Sequence, residues 1–134
     1  MGAFSMHFSH GLLILQDSES TETHDDWNPS EAGIDVERDS IYLSVLNYVD
    51  GIVNVEIIDG GTPKRDLRSV YNGEIEVGSG QFVVRDTVGD ISAVFHIDKG
   101  ISQLSIEVDN EGDASKVTIR FNPELKFENL TFSR

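Results

Sequence analysis

The stretch that decides the fold runs from Ile101 to Phe121 and reads "ISQLSIEVDNEGDASKVTIRF". In its first part, Leu104, Ile106 and Val108 alternate with polar residues, so one face of an extended strand is apolar and the other is polar. In its last part, "KVTIRF" again places apolar residues at every second position. The acidic, Gly-containing residues between the two parts are typical of a tight turn. The stretch therefore predicts two β-strands joined by a short turn.

The same period of two dominates the chain from residue 40 onward, and no long window has apolar residues at helical spacing. Asp50 and Gly51 tolerate positive φ and separate two alternating runs, so they predict a β-hairpin. The predicted strands are "GLLILQ", "SIYLSVLNY", "IVNVEII", "SVYNGEIEV", "QFVVRDTV", "ISAVFHI", "ISQLSIEV", "KVTIRF" and "LKFENLTF".

This succession of short strands indicates an all-β protein, an antiparallel β-sandwich of about 8–9 strands. The periodicity is equally compatible with a jelly-roll or C2-like topology and with an immunoglobulin-like one. A length of 134 residues is typical of one domain with its own hydrophobic core. We therefore expect residues 1–134 to form a single β-sandwich domain.

Composition excludes several classes of function. The chain has 24 acidic residues against 10 basic ones, a net charge of −14, which argues against direct nucleic-acid binding. Its longest apolar run, Leu12 to Leu15, is far shorter than the roughly 20 residues of a membrane-spanning helix, and no basic residue precedes it as in a secretory signal. The chain contains no cysteine, which agrees with a reducing compartment. We therefore expect a cytoplasmic protein with no membrane association.

Acidic residues are concentrated between residues 17 and 39, a segment with nine acids, one base and little apolar content. The acids are Asp17, Glu19, Glu22, Asp25, Asp26, Glu31, Asp35, Glu37 and Asp39. Loops of this length in a compact domain are usually functional or disordered. Trp27 is the chain's only tryptophan, and its indole would gain by packing on the sandwich edge. The segment therefore predicts a partly ordered acidic loop at about residues 17–39.

His24, Asp25 and Asp26 are adjacent, and neighbouring side chains of an extended chain point to opposite faces. No other histidine lies at a known ligand spacing from them, so we expect no metal site. In the turn "DNEGD", the alternating acids and the distal Glu of a helix–loop–helix calcium site are missing, which favours a plain turn. The chain has no nucleophile-elbow motif, no cysteine nucleophile and no phosphate-binding glycine loop. We expect no cofactor and no enzymatic activity.

Binding to a basic protein is the function that the acidic loop favours. Carboxylates steer a basic target toward the loop, and an aromatic side chain anchors the complex. Nucleases fit this description because their DNA-binding clefts are positively charged. We expect Asp25, Asp26 and Trp27 to contact the partner, and we expect electrostatic steering from Asp17, Glu19 and Glu22.

Two other functions fit the same sequence. One is a calcium- or carbohydrate-binding β-sandwich module, since acidic loops at the end of a sandwich supply oxygen ligands. The other is a structural or assembly protein that uses edge strands, which would form homo-oligomers.

Several short phrases occur in a distinctive order along residues 12 to 122. They are "LLILQD", an acidic spacer closed by "DDW", "DSIYLSVL", "VNVEI", "GEIEVGS" and "DKGISQLSIEV". This order distantly resembles the competence protein J family, intracellular inhibitors of a bacterial DNA-entry nuclease. The resemblance implies a β-sandwich and a nuclease-inhibitor or immunity-like role in a bacterial cell.

Overall fold

The computed structural model describes residues 2–28, 32–46, 50–62, 64, 66–87 and 91–123. Within these ranges the chain forms ten β-strands and one short 3-10 turn, Ser9–Gly11. The strands are β1 (Gly2–Met6), β2 (Leu12–Asp17), β3 (Ile34–Glu37), β4 (Ser40–Ser44), β5 (Val53–Asp59), β6 (Arg68–Val77), β7 (Gln81–Arg85), β8 (Ile91–His96), β9 (Gly100–Val108) and β10 (Lys116–Phe121). None of the helical structure in these ranges is long and apolar enough to cross a membrane.

The strands form two five-stranded sheets. The first sheet has the order β1-β5-β10-β9-β6, and the second has the order β3-β4-β2-β7-β8. Neighbouring strands pair antiparallel, except that β5 and β10 are parallel. The predicted all-β sandwich is therefore confirmed, with one parallel pair that the sequence pattern did not predict.

The stretch from Ile101 to Phe121 forms the predicted pair of strands. In β9 and β10, Val108 lies opposite Val117 and Leu104 lies opposite Phe121, so their apolar faces coincide. The carboxylate of Asp109 accepts hydrogen bonds from the backbone N–H groups of Ser115 and Lys116, at 2.9 and 3.0 Å, and from the Ser115 hydroxyl. This carboxylate closes the connection between β9 and β10.

The hydrophobic core lies between the two sheets and consists of the apolar residues at alternate strand positions. Phe82 of the second sheet meets Phe121 of the first edge-on, with 4.9 Å between ring centroids. The fully buried side chains of this core include Leu13, Leu15, Ile41, Val53, Val77, Phe82, Val84, Leu104, Ile106 and Ile119. Each large aliphatic side chain buried in this way stabilises the fold by about 1.5–3 kcal/mol.

The hairpin predicted at Asp50-Gly51 is wrong. β4 pairs with β2 and β3 in the second sheet, whereas β5 pairs with β1 and β10 in the first. Both strands bury alternate residues in the same core. Two paired strands of one sheet and two strands of facing sheets therefore show the same alternation in sequence. Gly51 does adopt a positive φ of 143°, but the strands before and after it belong to different sheets.

Two strands, β1 and β3, were not predicted. β3 lies inside the segment predicted as the acidic loop, and it pairs with β4 so that Asp35 lies opposite Tyr42. Its apolar residues, Ile34 and Val36, alternate with two acids and are too few to stand out in an acidic segment. The predicted strand "LKFENLTF" lies outside the described residues.

The outer face of the first sheet is partly covered by the connection between β5 and β6. Glu107 and Arg120 lie on this face, with their side chains 1% and 4% exposed, and form an ion pair at 3.1 Å. Lys64 donates its backbone N–H to Glu107 at 3.1 Å, and Arg120 donates to the carbonyl of Gly60 at 2.9 Å. The alternation of apolar and polar residues in β9 correctly predicts that Glu107 lies on the outer face, but the connection between β5 and β6 covers it there.

Candidate functional site

The acidic segment leaves β2 and crosses the outer face of the second sheet. We call residues 18–28 of this segment the contact loop. Two of the residues that it contacts are the outward-facing Ser40 and Tyr42 of β4, whereas the intervening Ile41 belongs to the core. The loop is therefore held on the sheet by its own side chains.

Asp17 fixes the start of the contact loop. It is only 4% exposed, and one carboxylate oxygen accepts hydrogen bonds from the backbone N–H and hydroxyl of Ser79, at 3.0 and 2.6 Å. The other oxygen accepts the backbone N–H of Glu19 at 3.2 Å. Asp17 thus ties the loop to the turn between β6 and β7, whereas Glu19 is exposed. Of these two predicted steering residues, Glu19 alone presents its carboxylate to solvent.

The middle of the contact loop is tied to the residue that precedes β4. The hydroxyl of Ser20 donates to Asp39 at 2.8 Å and accepts the backbone N–H of Glu22 at 3.3 Å. These bonds leave Glu22 half-buried. Its solvent exposure is therefore intermediate between that of Asp17 and that of Glu19.

His24 is the main anchor of the contact loop. Its side chain is fully buried, with Nδ1 2.7 Å from Oδ2 of Asp35 and Nε2 2.9 Å from the hydroxyl of Ser40. Ser40 in turn donates to the amide oxygen of Gln16 at 3.1 Å. His24 has a φ of 57°, a left-handed conformation that costs a non-glycine residue roughly 1–2 kcal/mol. The contacts of the imidazole offset this backbone strain.

Tyr42 is a platform for both aromatic residues of the loop. The imidazole of His24 stacks on the Tyr42 ring with 3.8 Å between centroids and an interplanar angle of 17°. Trp27 meets the same ring edge-on at 6.0 Å and donates its indole N–H to the carbonyl of Ala32 at 2.9 Å. Trp27 is half-buried, so one part of its ring packs on the protein and another part faces solvent.

Asp25 and Asp26 lie at the tip of the contact loop and are exposed. The backbone N–H of Trp27 donates to the carbonyl of His24 at 3.1 Å and closes the turn that carries them. The two carboxylates therefore lie between a buried anchor and a half-exposed tryptophan. This arrangement places negative charge and aromatic surface side by side on an ordered loop.

The partners of His24 are not evident from the sequence, in which its neighbours are Asp25 and Asp26. In the structure His24 contacts Asp35 and Ser40, and Ser40 in turn contacts Gln16. These residues come from three different strands, so their proximity depends on the sheet order. The alternation in "IDVE" is the one local signal that could have placed Asp35 and Glu37 on the same face of a strand.

No protein-family model and no curated protein matches this chain. Two solved structures are similar over nearly the whole chain. ComJ of Bacillus subtilis, an inhibitor of the DNA-degrading activity of NucA, has a TM-score of 0.69 at 12% identity, covering 93% of this chain and 96% of ComJ. The crocagin biosynthetic protein J has a TM-score of 0.59 at 13% identity, covering 92% of this chain and 96% of its own. The fold implied by the resemblance to competence protein J is therefore confirmed.

Proposed function

We propose that this chain is a non-enzymatic inhibitor or immunity-type protein that binds a basic protein, such as a nuclease, through the contact loop. The observation that carries the proposal is the exposed pair Asp25-Asp26, held between the buried side chain of His24 and the half-exposed ring of Trp27. A loop that is already ordered loses less conformational entropy on binding than a flexible one.

Electrostatics favour a basic partner. The chain carries a net charge of −14, and long-range attraction from such a charge speeds encounter with a positively charged protein. A nuclease presents positive charge where DNA phosphates bind. On this proposal, the carboxylates of Asp25 and Asp26 occupy the positions of those phosphates and so exclude the substrate. Glu19 adds to the steering field.

Trp27 supplies the apolar part of the contact. Tryptophan is among the residues most enriched at energetically dominant interface positions, because its large ring excludes water from the centre of an interface. The indole N–H is already bonded to Ala32, so burial against a partner leaves no donor unsatisfied. We expect loss of Trp27 to speed dissociation more than it slows association.

The similarity to ComJ supports the inhibitor proposal, since ComJ inhibits the DNA-degrading activity of NucA. We extend this role to the present chain as part of the proposal, together with cytoplasmic localisation. The two chains share their fold over more than nine-tenths of each length.

The proposal is tested by capture followed by an activity assay. The immobilised chain is incubated with lysate of its native cell, and the captured proteins are identified and assayed for DNA cleavage. We expect a basic protein whose DNA cleavage falls when the free chain is added in equimolar amount. A bait with Asp25→Asn and Asp26→Asn should capture less of it.

A second bait controls for net charge. Asp66→Asn with Glu74→Gln removes the same two charges from exposed positions beside and on the first sheet, away from the contact loop. This control should capture as much as the original chain. Capture of a protein whose DNA cleavage is unaffected by the free chain would contradict the inhibitor role, and equal loss with both baits would contradict the assigned site.

A further inference from the structure

Three potential metal ligands converge beneath the contact loop. His24, Asp35 and Glu37 each offer one ligand atom, and these atoms lie within 4.8 Å of one another. Asp35 and Glu37 are two residues apart on β3, so their side chains share the outer face of the second sheet. The imidazole reaches them from the loop. Asp35 and Glu37 are half-buried, which leaves the cluster open to solvent on one side.

The hydrogen bonds around His24 determine which ring nitrogen is available. Ser40 has one hydroxyl hydrogen and donates it to Gln16 at 3.1 Å, so its oxygen accepts from Nε2–H of His24 at 2.9 Å. A neutral imidazole then has a bare lone pair on Nδ1. Metal-binding histidines are oriented in the same way, by a bond from the other ring N–H.

The atom that faces this lone pair is also an acceptor. Oδ2 of Asp35 lies 2.7 Å from Nδ1, and an ionised carboxylate has no hydrogen to donate. Two acceptors at this distance require a positive species between them, either a proton or a metal ion. Glu37 adds a second carboxylate within 4.8 Å of these two atoms, so three potential ligands surround the space that a metal ion would occupy.

We propose that His24, Asp35 and Glu37 form a binding site for a divalent transition-metal ion such as Zn²⁺. One imidazole nitrogen and two carboxylate oxygens are ligands that such ions accept, and water completes the coordination from the open side. Ligand atoms of a tetrahedral ion with bonds of about 2.0–2.2 Å lie roughly 3.4 Å apart. Nδ1 and Oδ2, which are 2.7 Å apart, must therefore separate slightly, and the Glu37 carboxylate must adjust with them. Among the described strands β3 lies at the edge of its sheet, so its side chains can shift without disturbing another described strand on that side.

A bound ion would join the contact loop to β3. This inference is independent of the proposed inhibitor function, because it concerns the ion alone.

The test is titration of the EDTA-treated, full-length protein with Zn²⁺ at pH 7.5, followed by calorimetry and thermal unfolding. We expect one bound ion per chain and a higher melting temperature. Glu37→Gln and Asp35→Asn should each raise the dissociation constant about tenfold or more, as changes around metal ligands commonly do. Glu37→Gln is the more decisive variant, because it leaves the hydrogen bonds of His24 in place.

The other histidines provide the matched control. A variant with His7, His10 and His96 all changed to Asn should bind Zn²⁺ as tightly as the original chain. No binding at 1 mM Zn²⁺ (about a thousandfold above a micromolar dissociation constant) would overturn the proposal. So would tight binding that survives Glu37→Gln and Asp35→Asn, or binding lost in the triple-histidine control.

Discussion

Replacing His24 by Ala should release the contact loop and destabilise the protein. The substitution removes the bond to the Asp35 carboxylate, worth about 1.5–3 kcal/mol, and the bond to Ser40, worth about 0.5–1.5 kcal/mol. It also removes the stacking on Tyr42, worth about 0.5–1.5 kcal/mol. Asp35 is 30% exposed and rehydrates when its partner is lost, so the sum is an upper bound. We expect a loss of about 2–4 kcal/mol in the free energy of unfolding.

Trp27 makes this loss measurable at the loop itself, because it is the only tryptophan and packs on the same Tyr42 ring. Urea unfolding in EDTA buffer is followed by Trp27 fluorescence for the loop and by circular dichroism for the sheets. With a urea dependence of about 2 kcal/mol per M, His24→Ala should lower the fluorescence midpoint by about 1–2 M. A release confined to the loop would shift Trp27 emission to the red in native buffer and leave the circular dichroism midpoint nearly unchanged.

His96→Ala is the matched control for this prediction. His96 is an exposed histidine of β8 and should unfold at the original midpoint by both probes. If His24→Ala also retains the original midpoint and the original Trp27 emission, His24 does not anchor the loop and the reasoning is refuted.

Three further changes test other parts of the structure. Glu107→Gln should lower the free energy of unfolding by about 3–5 kcal/mol in urea denaturation, because the charge of Arg120 remains buried without its partner. Tyr71→Phe should lower it by about 1 kcal/mol in the same assay, since the Tyr71 hydroxyl donates to the carbonyl of Glu74 at 2.7 Å and accepts its N–H at 3.0 Å on edge strand β6. Asp109→Asn should reduce the loss of stability below pH 4 in thermal unfolding. Burial raises the pKa of Asp109, but hydrogen bonds from Ser115 and Lys116 outweigh it and lower the pKa below its usual value.

The sign of the Asp109 effect follows from linkage. Because the pKa is lower in the folded state, the folded chain binds this proton less readily than the unfolded chain. The stabilisation is complete above the unfolded pKa of about 3.9 and is lost as the pH falls through the folded value. An Asp109→Asn variant with the original pH profile would contradict this role. Unchanged unfolding midpoints in Glu107→Gln or Tyr71→Phe would likewise contradict the contacts assigned to them.

Local alternation was sufficient to predict the fold class but not the strand pairing. Leu104, Ile106 and Val108 predict a strand with one apolar face, whichever sheet the strand belongs to, and β9 forms as predicted. The same alternation in β4 and β5 could not show that they belong to opposite sheets, because both face one core. Pairing depends on contacts between residues far apart in sequence, which periodicity does not encode.

The candidate site was predicted only in its exposed part. Asp25, Asp26 and Trp27 could be proposed from charge and composition, which are local properties. The role of His24 could not, since Asp35 becomes its neighbour only after β3 pairs with β4. Asp17 was predicted to be a surface charge, but its carboxylate is buried and accepts hydrogen bonds from Ser79. Its burial also depends on a residue that is distant in sequence.

In the proposed function, Asp25 and Asp26 guide the contact loop to a basic protein. The most direct test is the association rate constant with the captured partner, measured as a function of salt concentration. Asp25→Asn with Asp26→Asn should slow association at low salt and flatten its salt dependence, whereas Asp66→Asn with Glu74→Gln should leave both nearly unchanged. Equal rates and equal salt slopes for the two double variants would contradict the claim.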